Sequence, residues 1–133
     1  MAAQEQLIKH PPACPDLAKL TWSKTKSGLE YVVAKHGNGT PASRGQTVTC
    51  HYCGWLTDGK KFDSSYDRKD PFGFTLGEGM VIKGWDEGVE LMCIGDVYFF
   101  RIPAALGYGA KGGGPIPSNA TLVFQVELVN AEY

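Results

Sequence analysis

The chain has 133 residues, 43% hydrophobic and 20% charged, enough to bury one core without metal or disulfide staples. A formal net charge of -1 provides no basic field for nucleic acid or anionic lipid, and the apolar runs fall far short of a membrane span. The 17 glycines are dispersed, at roughly twice average usage, which points to many tight turns.

Residues 1–20 carry Pro11, Pro12 and Pro15 with Leu7, Ile8, Leu17 and Leu20 between polar residues. Pro-Pro interrupts any helix, so the expectation is an N-terminal extension, partly ordered at best, followed by one domain over residues 21–133. Met1–His10 has no long apolar core and is a poor secretory signal. Thr21–Ala34 suits strands broken near Ser27-Gly28, with Leu29, Tyr31 and Val33 alternating against their neighbours. His36–Pro41 and Ser43–Gly45 are turn clusters. Gln46–Leu56 is a strand, and Thr57–Lys60 closes a hairpin through Asp58-Gly59. Lys61–Ser65 leaves that hairpin. Tyr66–Pro71 is polar and charged, a loop or a bulge inside an edge strand, and Phe72, Phe74 and Leu76 alternate as the next strand.

Gly77–Val89 then gives a turn, an apolar step (Met80, Val81, Ile82) and the start of a short helix over about Lys83–Leu91. Trp85, Val89 and Met92 fall near one helix face. Gly84 and Gly88 weaken that helix in isolation, so packing must hold it. Gly95-Asp96 is a turn, and Val97–Pro103 is a strand. Ala104–Asn119 is a Gly/Pro-rich loop. Ala120–Val129 is the last strand, with Leu122, Phe124, Val126 and Leu128 on one face. The pattern predicts an α+β fold, a strongly bent antiparallel sheet of five or six strands wrapped around one short helix.

Cys50 and Cys53 have C-x-x-C spacing, but on a strand residues i and i+3 face opposite sides, so the thiols diverge. The four cysteines read as reduced packing residues of a cytoplasmic protein. Ser64 or Ser65 with His10, His36 or His51 could be offered as hydrolytic machinery, but there is no Gly-x-Ser-x-Gly elbow. Asp86-Glu87 are adjacent on a helix and read as a solvated face. Neither Gly77-x-Gly79 nor Gly112-Gly113-Gly114 makes a phosphate cradle. What remains is an excess of aromatics from separate elements, Tyr52, Phe62, Phe72, Phe74, Trp85, Tyr108 and Phe124. With Asp63 and a few backbone amides, they suit an apolar site for a small ligand or peptide.

Several motifs point further. His51-Tyr52-x-Gly54-x-Leu56-x-Asp58-Gly59-x-x-Phe62-Asp63-Ser64-Ser65, Pro71-Phe72-x-Phe74-x-Leu76-Gly77 and Val81-Ile82-x-Gly84-Trp85-x-x-Gly88-Val89 occur in that order. They are followed by Tyr108-Gly109-Ala110 and by Ile116-Pro117 with Ala120–Phe124. This set resembles the FKBP-type peptidyl-prolyl cis-trans isomerases over about Ser27–Val129, as a small single-domain member. The resemblance implies a bent antiparallel sheet around a short helix, and catalysis by Tyr52, Phe62, Asp63, Trp85, Tyr108 and Phe124. It implies substrate and ligand contacts by Arg68, Phe72, Met80, Val81, Ile82 and Ile116. Trp85 would be the floor under a prolyl ring, with Tyr52, Phe72 and Phe124 as walls and Phe62 beside the substrate carbonyl. Arg68 would pair with Asp63, and the Ile82 amide would donate to a ligand carbonyl.

The expected partners are proline-containing peptides and proteins, and macrolides such as tacrolimus and rapamycin. No cofactor, metal, nucleic acid or membrane is expected, and the chain is expected to be a monomer. The alternative is a non-catalytic proline-peptide binding module or folding chaperone using the same pocket. The chain departs from the family pattern at Met80, where a polar or charged residue is common. Its loop over residues 110–118 is one residue shorter than in common small members, lacks their histidine, and has Pro115 and Ser118 where they carry an apolar branched residue and a second proline. Substrate preference and affinity for large macrolides are expected to differ accordingly.

Overall fold

The computed structural model describes residues 8–9 and 12–133. Leu7, His10 and Pro11 lie outside the described residues. Seven strands succeed one another, β1 (Ser23–Lys24), β2 (Glu30–Lys35), β3 (Thr47–Leu56), β4 (Lys61–Ser64), β5 (Phe72–Thr75), β6 (Val97–Ile102) and β7 (Leu122–Glu132). Two helices interrupt them, α1 (Ser65–Arg68) and α2 (Lys83–Glu90). Leu17–Lys19 and Ala104–Leu106 are single 3-10 turns.

Every strand pairing is antiparallel, and the sheet runs β1-β2-β6-β7-β3-β4. β7 is central, pairing along β3 from Thr47 to Leu56 and along β6 from Val97 to Ile102. The far edge of β3 is shared, with β5 pairing Thr47–Cys50 and β4 pairing Cys53–Trp55. Register shifts at Val33/Lys35, Thr49/Cys50 and Gly54/Trp55 bend the sheet, because an extra residue on one strand increases local twist. The α+β architecture of a bent, open sheet around one main helix is as the sequence predicts. The strand number exceeds five or six because β1 is a two-residue pairing and the edge beside β3 is split.

That split corrects the expectation for Tyr66–Pro71. The edge is interrupted by a helical turn, not by a loop or bulge. The Ser64 hydroxyl accepts from the Asp67 amide at 3.3 Å and so caps α1. Lys69 closes it in the left-handed region at φ 54°, and Pro71, which cannot continue a helix, follows. The last strand also starts two residues later than predicted and runs three further.

The main core lies between α2 and the concave face of the sheet. Val48, Cys50, Phe74, Phe100, Ile102, Leu122, Val126 and Leu128 meet Trp85, Val89 and Met92 there. Cβ atoms at Gly84 and Gly88 would stand 2.7 Å from Ile102 Cγ2 and 2.6 Å from Phe100 Cε1, so both glycines are needed for the helix to lie this close to β6. The convex face carries two smaller clusters. Val32, Ala34, Val97 and Phe99 pack against Ile8, Leu20 and Trp22; Cys53, Trp55 and Val123 pack against Cys14, Leu17 and Tyr66. Trp22 Nε1 donates to the Leu17 carbonyl at 3.1 Å, and the Arg101 guanidinium stands 4.5 Å from the Trp22 ring centroid. Cys50 and Cys53 therefore point to opposite faces of the sheet.

Candidate functional site

The aromatic residues converge on Trp85, the third residue of α2. Its indole meets Tyr52 edge-on at 5.0 Å and 89°, Phe124 at 5.5 Å and 88°, Phe72 at 6.1 Å and 81°, and Phe74 at 5.9 Å and 63°. Edge-to-face contact is the favoured geometry for rings with a negative face and a positive edge. The indole is only 4% exposed, and what remains open of it faces a cavity. Phe62 leans edge-on against Phe124 at 5.5 Å. Gly54 permits this, because a Cβ there would lie 2.7 Å from both rings.

Above Trp85 opens a cavity of about 450 Å³ lined by Tyr52, Phe62, Asp63, Phe72, Met80, Val81, Ile82, Trp85, Tyr108 and Phe124. These are ten of the twelve residues assigned above by resemblance. The other two lie outside the wall. Ile116 is buried in the main core, where it anchors the loop that carries Tyr108. A two-way backbone hydrogen bond between Gly113 and Ile116 closes a tight turn in that loop. Arg68 stands behind Tyr52, its guanidinium 5.6 Å from that ring centroid.

One polar network enters the cavity. The Tyr52 hydroxyl donates to Asp63 Oδ2 at 2.5 Å and accepts from Arg68 Nη2 at 3.0 Å. Arg68 Nη1 pairs with Asp63 Oδ1, which also accepts from the Ser64 amide at 2.9 Å. Helix α1 makes this triangle, because its single turn brings Arg68 back over Asp63. Burial, reinforced by the bond to Asp63, raises the Tyr52 phenol above its ordinary value of 10.0. The hydroxyl is thus a proton donor at neutral pH. The Ile82 amide, at the N-terminus of α2, has no hydrogen-bond partner among the described residues.

The residues considered for hydrolysis do other work. Ser65 is fully buried; its hydroxyl accepts from the Tyr52 amide at 2.7 Å and lies 2.9 Å from His51 Nδ1. His51 stacks on Tyr66 at 4.8 Å. Ser64 caps α1, and His36 is exposed elsewhere. Burial pushes the Cys50 thiol up to about 12, so it holds its proton and packs as an apolar group. Among the described residues no three potential metal ligands cluster.

Asp86 corrects the reading of a solvated carboxylate face. Its two oxygens accept from the Gly77 and Gly79 amides, each at 2.9 Å. Asp86 thereby ties the turn before Met80-Val81-Ile82 to α2. Glu87 similarly takes the Ser27 hydroxyl. The acceptor role of Asp86 was invisible in the sequence because its donors are backbone amides.

Comparison with known proteins identifies the family and the fold. The model of the FKBP-type peptidyl-prolyl cis-trans isomerase family matches residues 38–129. FK506-binding protein 1 of Dictyostelium discoideum is 52% identical over 103 residues, covering 77% of this chain and 96% of that protein. The isomerase FkpA of Aeromonas hydrophila is 51% identical over 108 residues, 81% of this chain but 40% of that longer protein. The crystal structure of AtFKBP13 superposes with a TM-score of 0.81 at 38% identity, covering 84% of this chain and 98% of its own. That of FkpA from Escherichia coli gives 0.80 at 36% identity, covering 98% of this chain and 58% of its own.

Proposed function

The chain belongs to the FKBP-type peptidyl-prolyl cis-trans isomerases, and from that premise we propose that the cavity above Trp85 accelerates rotation about X-Pro bonds, with an apolar residue preferred before the proline. The observation that carries this reading is an aromatic box with one polar corner and no assembled nucleophile. The reaction makes and breaks no covalent bond. It must overcome a barrier of about 20 kcal/mol that arises from C–N double-bond character.

As the amide twists it loses resonance. Its carbonyl becomes more ketone-like and less polar, and its nitrogen pyramidalises. A dry pocket walled by Tyr52, Phe72 and Phe124 over Trp85 favours that state over the solvated planar amide. The prolyl ring sits on the indole, and the Ile82 amide holds a backbone carbonyl of the peptide. The Tyr52–Asp63–Arg68 triangle keeps the polar corner rigid. Binding the twisted amide better than the planar one is what lowers the barrier, and about 5 kcal/mol of preference would give several thousand-fold. The same apolar volume would take part of a macrolide such as tacrolimus or rapamycin.

Exchange spectroscopy or coupled proteolysis on a Phe-Pro or Leu-Pro peptide tests the activity. The wild type should speed cis/trans exchange, and Tyr52→Ala, Phe62→Ala and Asp63→Val should lose most of that effect. A wild type that binds the peptide without accelerating it would leave a binding module in place of an enzyme. Macrolide binding is read by tryptophan fluorescence, in which Trp85 should respond over the background of Trp22 and Trp55. A signal unchanged at saturating drug would remove the macrolide claim alone.

A further inference from the structure

Two of the apolar groups that line the cavity stand largely in solvent, Met80 at 62% exposure and Tyr108 at 45%. Met92, by contrast, is fully buried under α2, so among the described residues Met80 is the methionine that solvent reaches. Its thioether has a structural task as well. The Thr75 amide, at the end of β5, donates to Met80 Sδ at 3.4 Å. That contact draws the rim segment toward the strand that also supplies Phe72. The segment is also held by Arg44 Nη2, which donates to the Gly77 carbonyl at 3.2 Å, and by the Asp86 carboxylate on the Gly77 and Gly79 amides. One sulfur atom therefore contributes both to the apolar mouth of the cavity and to the position of the backbone leading to Val81 and Ile82.

We propose that Met80 is an oxidation-sensitive site, and that its conversion to the sulfoxide by hydrogen peroxide weakens peptide binding at the cavity mouth. This rests on the proline-peptide reading above. In the step itself a sulfur lone pair attacks one peroxide oxygen. The S–O bond forms as the O–O bond breaks, and the departing hydroxide takes the proton of the transferred hydroxyl to become water. Sulfur is oxidised by two electrons and the peroxide is reduced.

The product changes the rim in two ways. A flexible apolar group becomes a polar, chiral one, placed where a peptide must shed its water. The present contact of the Thr75 amide with the sulfur is also disturbed in either epimer. An oxygen on the lone pair facing Thr75 does not fit within the 3.4 Å between nitrogen and sulfur. An oxygen on the other lone pair leaves a sulfur that is no longer a useful acceptor. The change is reversible by methionine sulfoxide reductase, which needs access to the side chain, and Met80 has it.

The test uses the full chain treated with hydrogen peroxide, with oxidised positions mapped by mass spectrometry and kcat/KM followed on a Phe-Pro peptide. Met80 should gain one oxygen before Met92 does. kcat/KM should then fall roughly three- to ten-fold, mainly through KM, with the urea midpoint unchanged. Methionine sulfoxide reductase with its thiol should restore activity, and thiol alone should not, which separates this chemistry from cysteine oxidation. Met80→Leu, whatever its own starting activity, should keep that activity through the same treatment.

Equal losses in Met80→Leu, or full activity in protein bearing the Met80 sulfoxide, would overturn the assignment while leaving the isomerase reading intact. Absence of activity before peroxide is added would remove both.

Discussion

Tyr52 is the residue on which the polar corner depends, since its hydroxyl is bonded to both Asp63 and Arg68. Tyr52→Phe keeps the ring and its contacts with Trp85 and removes only the hydroxyl. It should cost about 1 kcal/mol of transition-state stabilisation, roughly a five-fold fall in kcat/KM, with the urea midpoint less affected than in Tyr52→Ala. The raised phenol fixes the sign of a pH effect. Its folded value lies above the ordinary 10.0, so the stabilisation from the protonated hydroxyl is fully present below pH 10. It is lost as pH rises through the folded value, when a phenolate would face the Asp63 carboxylate. Wild type should therefore show an alkaline fall in activity above pH 10 that Tyr52→Phe lacks.

At this scale the sequence displayed residue types more clearly than their convergence. Tyr52, Asp63 and Arg68 lie on β3, β4 and α1, and only their match to a family pattern brought them together. Asp86 was misread for a physical reason. Two neighbouring carboxylates on a helix look the same whether they meet water or a loop, since backbone amides leave no trace in residue type.

Helix α2 was the most legible element. The apolar positions Trp85, Val89 and Met92 defined its buried face, and its observed bounds differ from the predicted ones by one residue. Gly84 and Gly88 looked like defects of that helix, and the approach to Ile102 and Phe100 explains them. On an exposed helix Gly→Ala would gain about 1 kcal/mol. Gly88→Ala instead places a methyl 2.6 Å from Phe100 Cε1, so it should destabilise the protein by about 1–3 kcal/mol, read as a lowered urea midpoint. The turn held by Asp86 gives a second prediction. Asp86→Ala frees the Gly77 and Gly79 amides and loosens the segment carrying Val81 and Ile82. KM for a Phe-Pro peptide should rise about five-fold with a smaller change in kcat. An unchanged KM would show that the rim holds its position without this tie. Helix α1 could not be read in advance, because four residues carry no helical periodicity. Its signal was chemical, a capping serine three residues before Asp67 and a proline shortly after Lys69.

Across the whole molecule the concave face of the sheet was legible in the sequence and the convex one was not. The apolar set of β7 was read on one side only, as Leu122, Phe124, Val126 and Leu128. Its other side carries Val123 and the buried Gln125, and β2, β3 and β6 likewise have apolar residues on both faces. A sheet apolar on both sides must be covered on both. The cover on the convex side is the segment through Cys14, Leu17, Leu20 and Trp22, whose scattered apolar residues have no period to announce a partner. Removing residues 1–22 should expose Trp55, Val123, Val97 and Phe99. We expect a stability loss of about 2–4 kcal/mol by urea denaturation and increased binding of an apolar dye, with the geometry above Trp85 retained. A truncated chain of unchanged stability would mean that the cover contributes little.

The central place of β7 has a consequence for how the protein is made. Before Leu122–Glu132 leave the ribosome, β1, β2 and β6 can pair among themselves, and β3 can pair with β4 and β5, but no strand pairing joins the two groups. Phe124, which meets Trp85, Tyr52 and Phe62, arrives on that same strand. The nascent chain thus has neither a continuous sheet nor a complete cavity until translation has passed its last strand. A protein whose proposed work is to hasten slow steps in the folding of others would acquire that ability all at once, when β7 joins the two halves of its sheet.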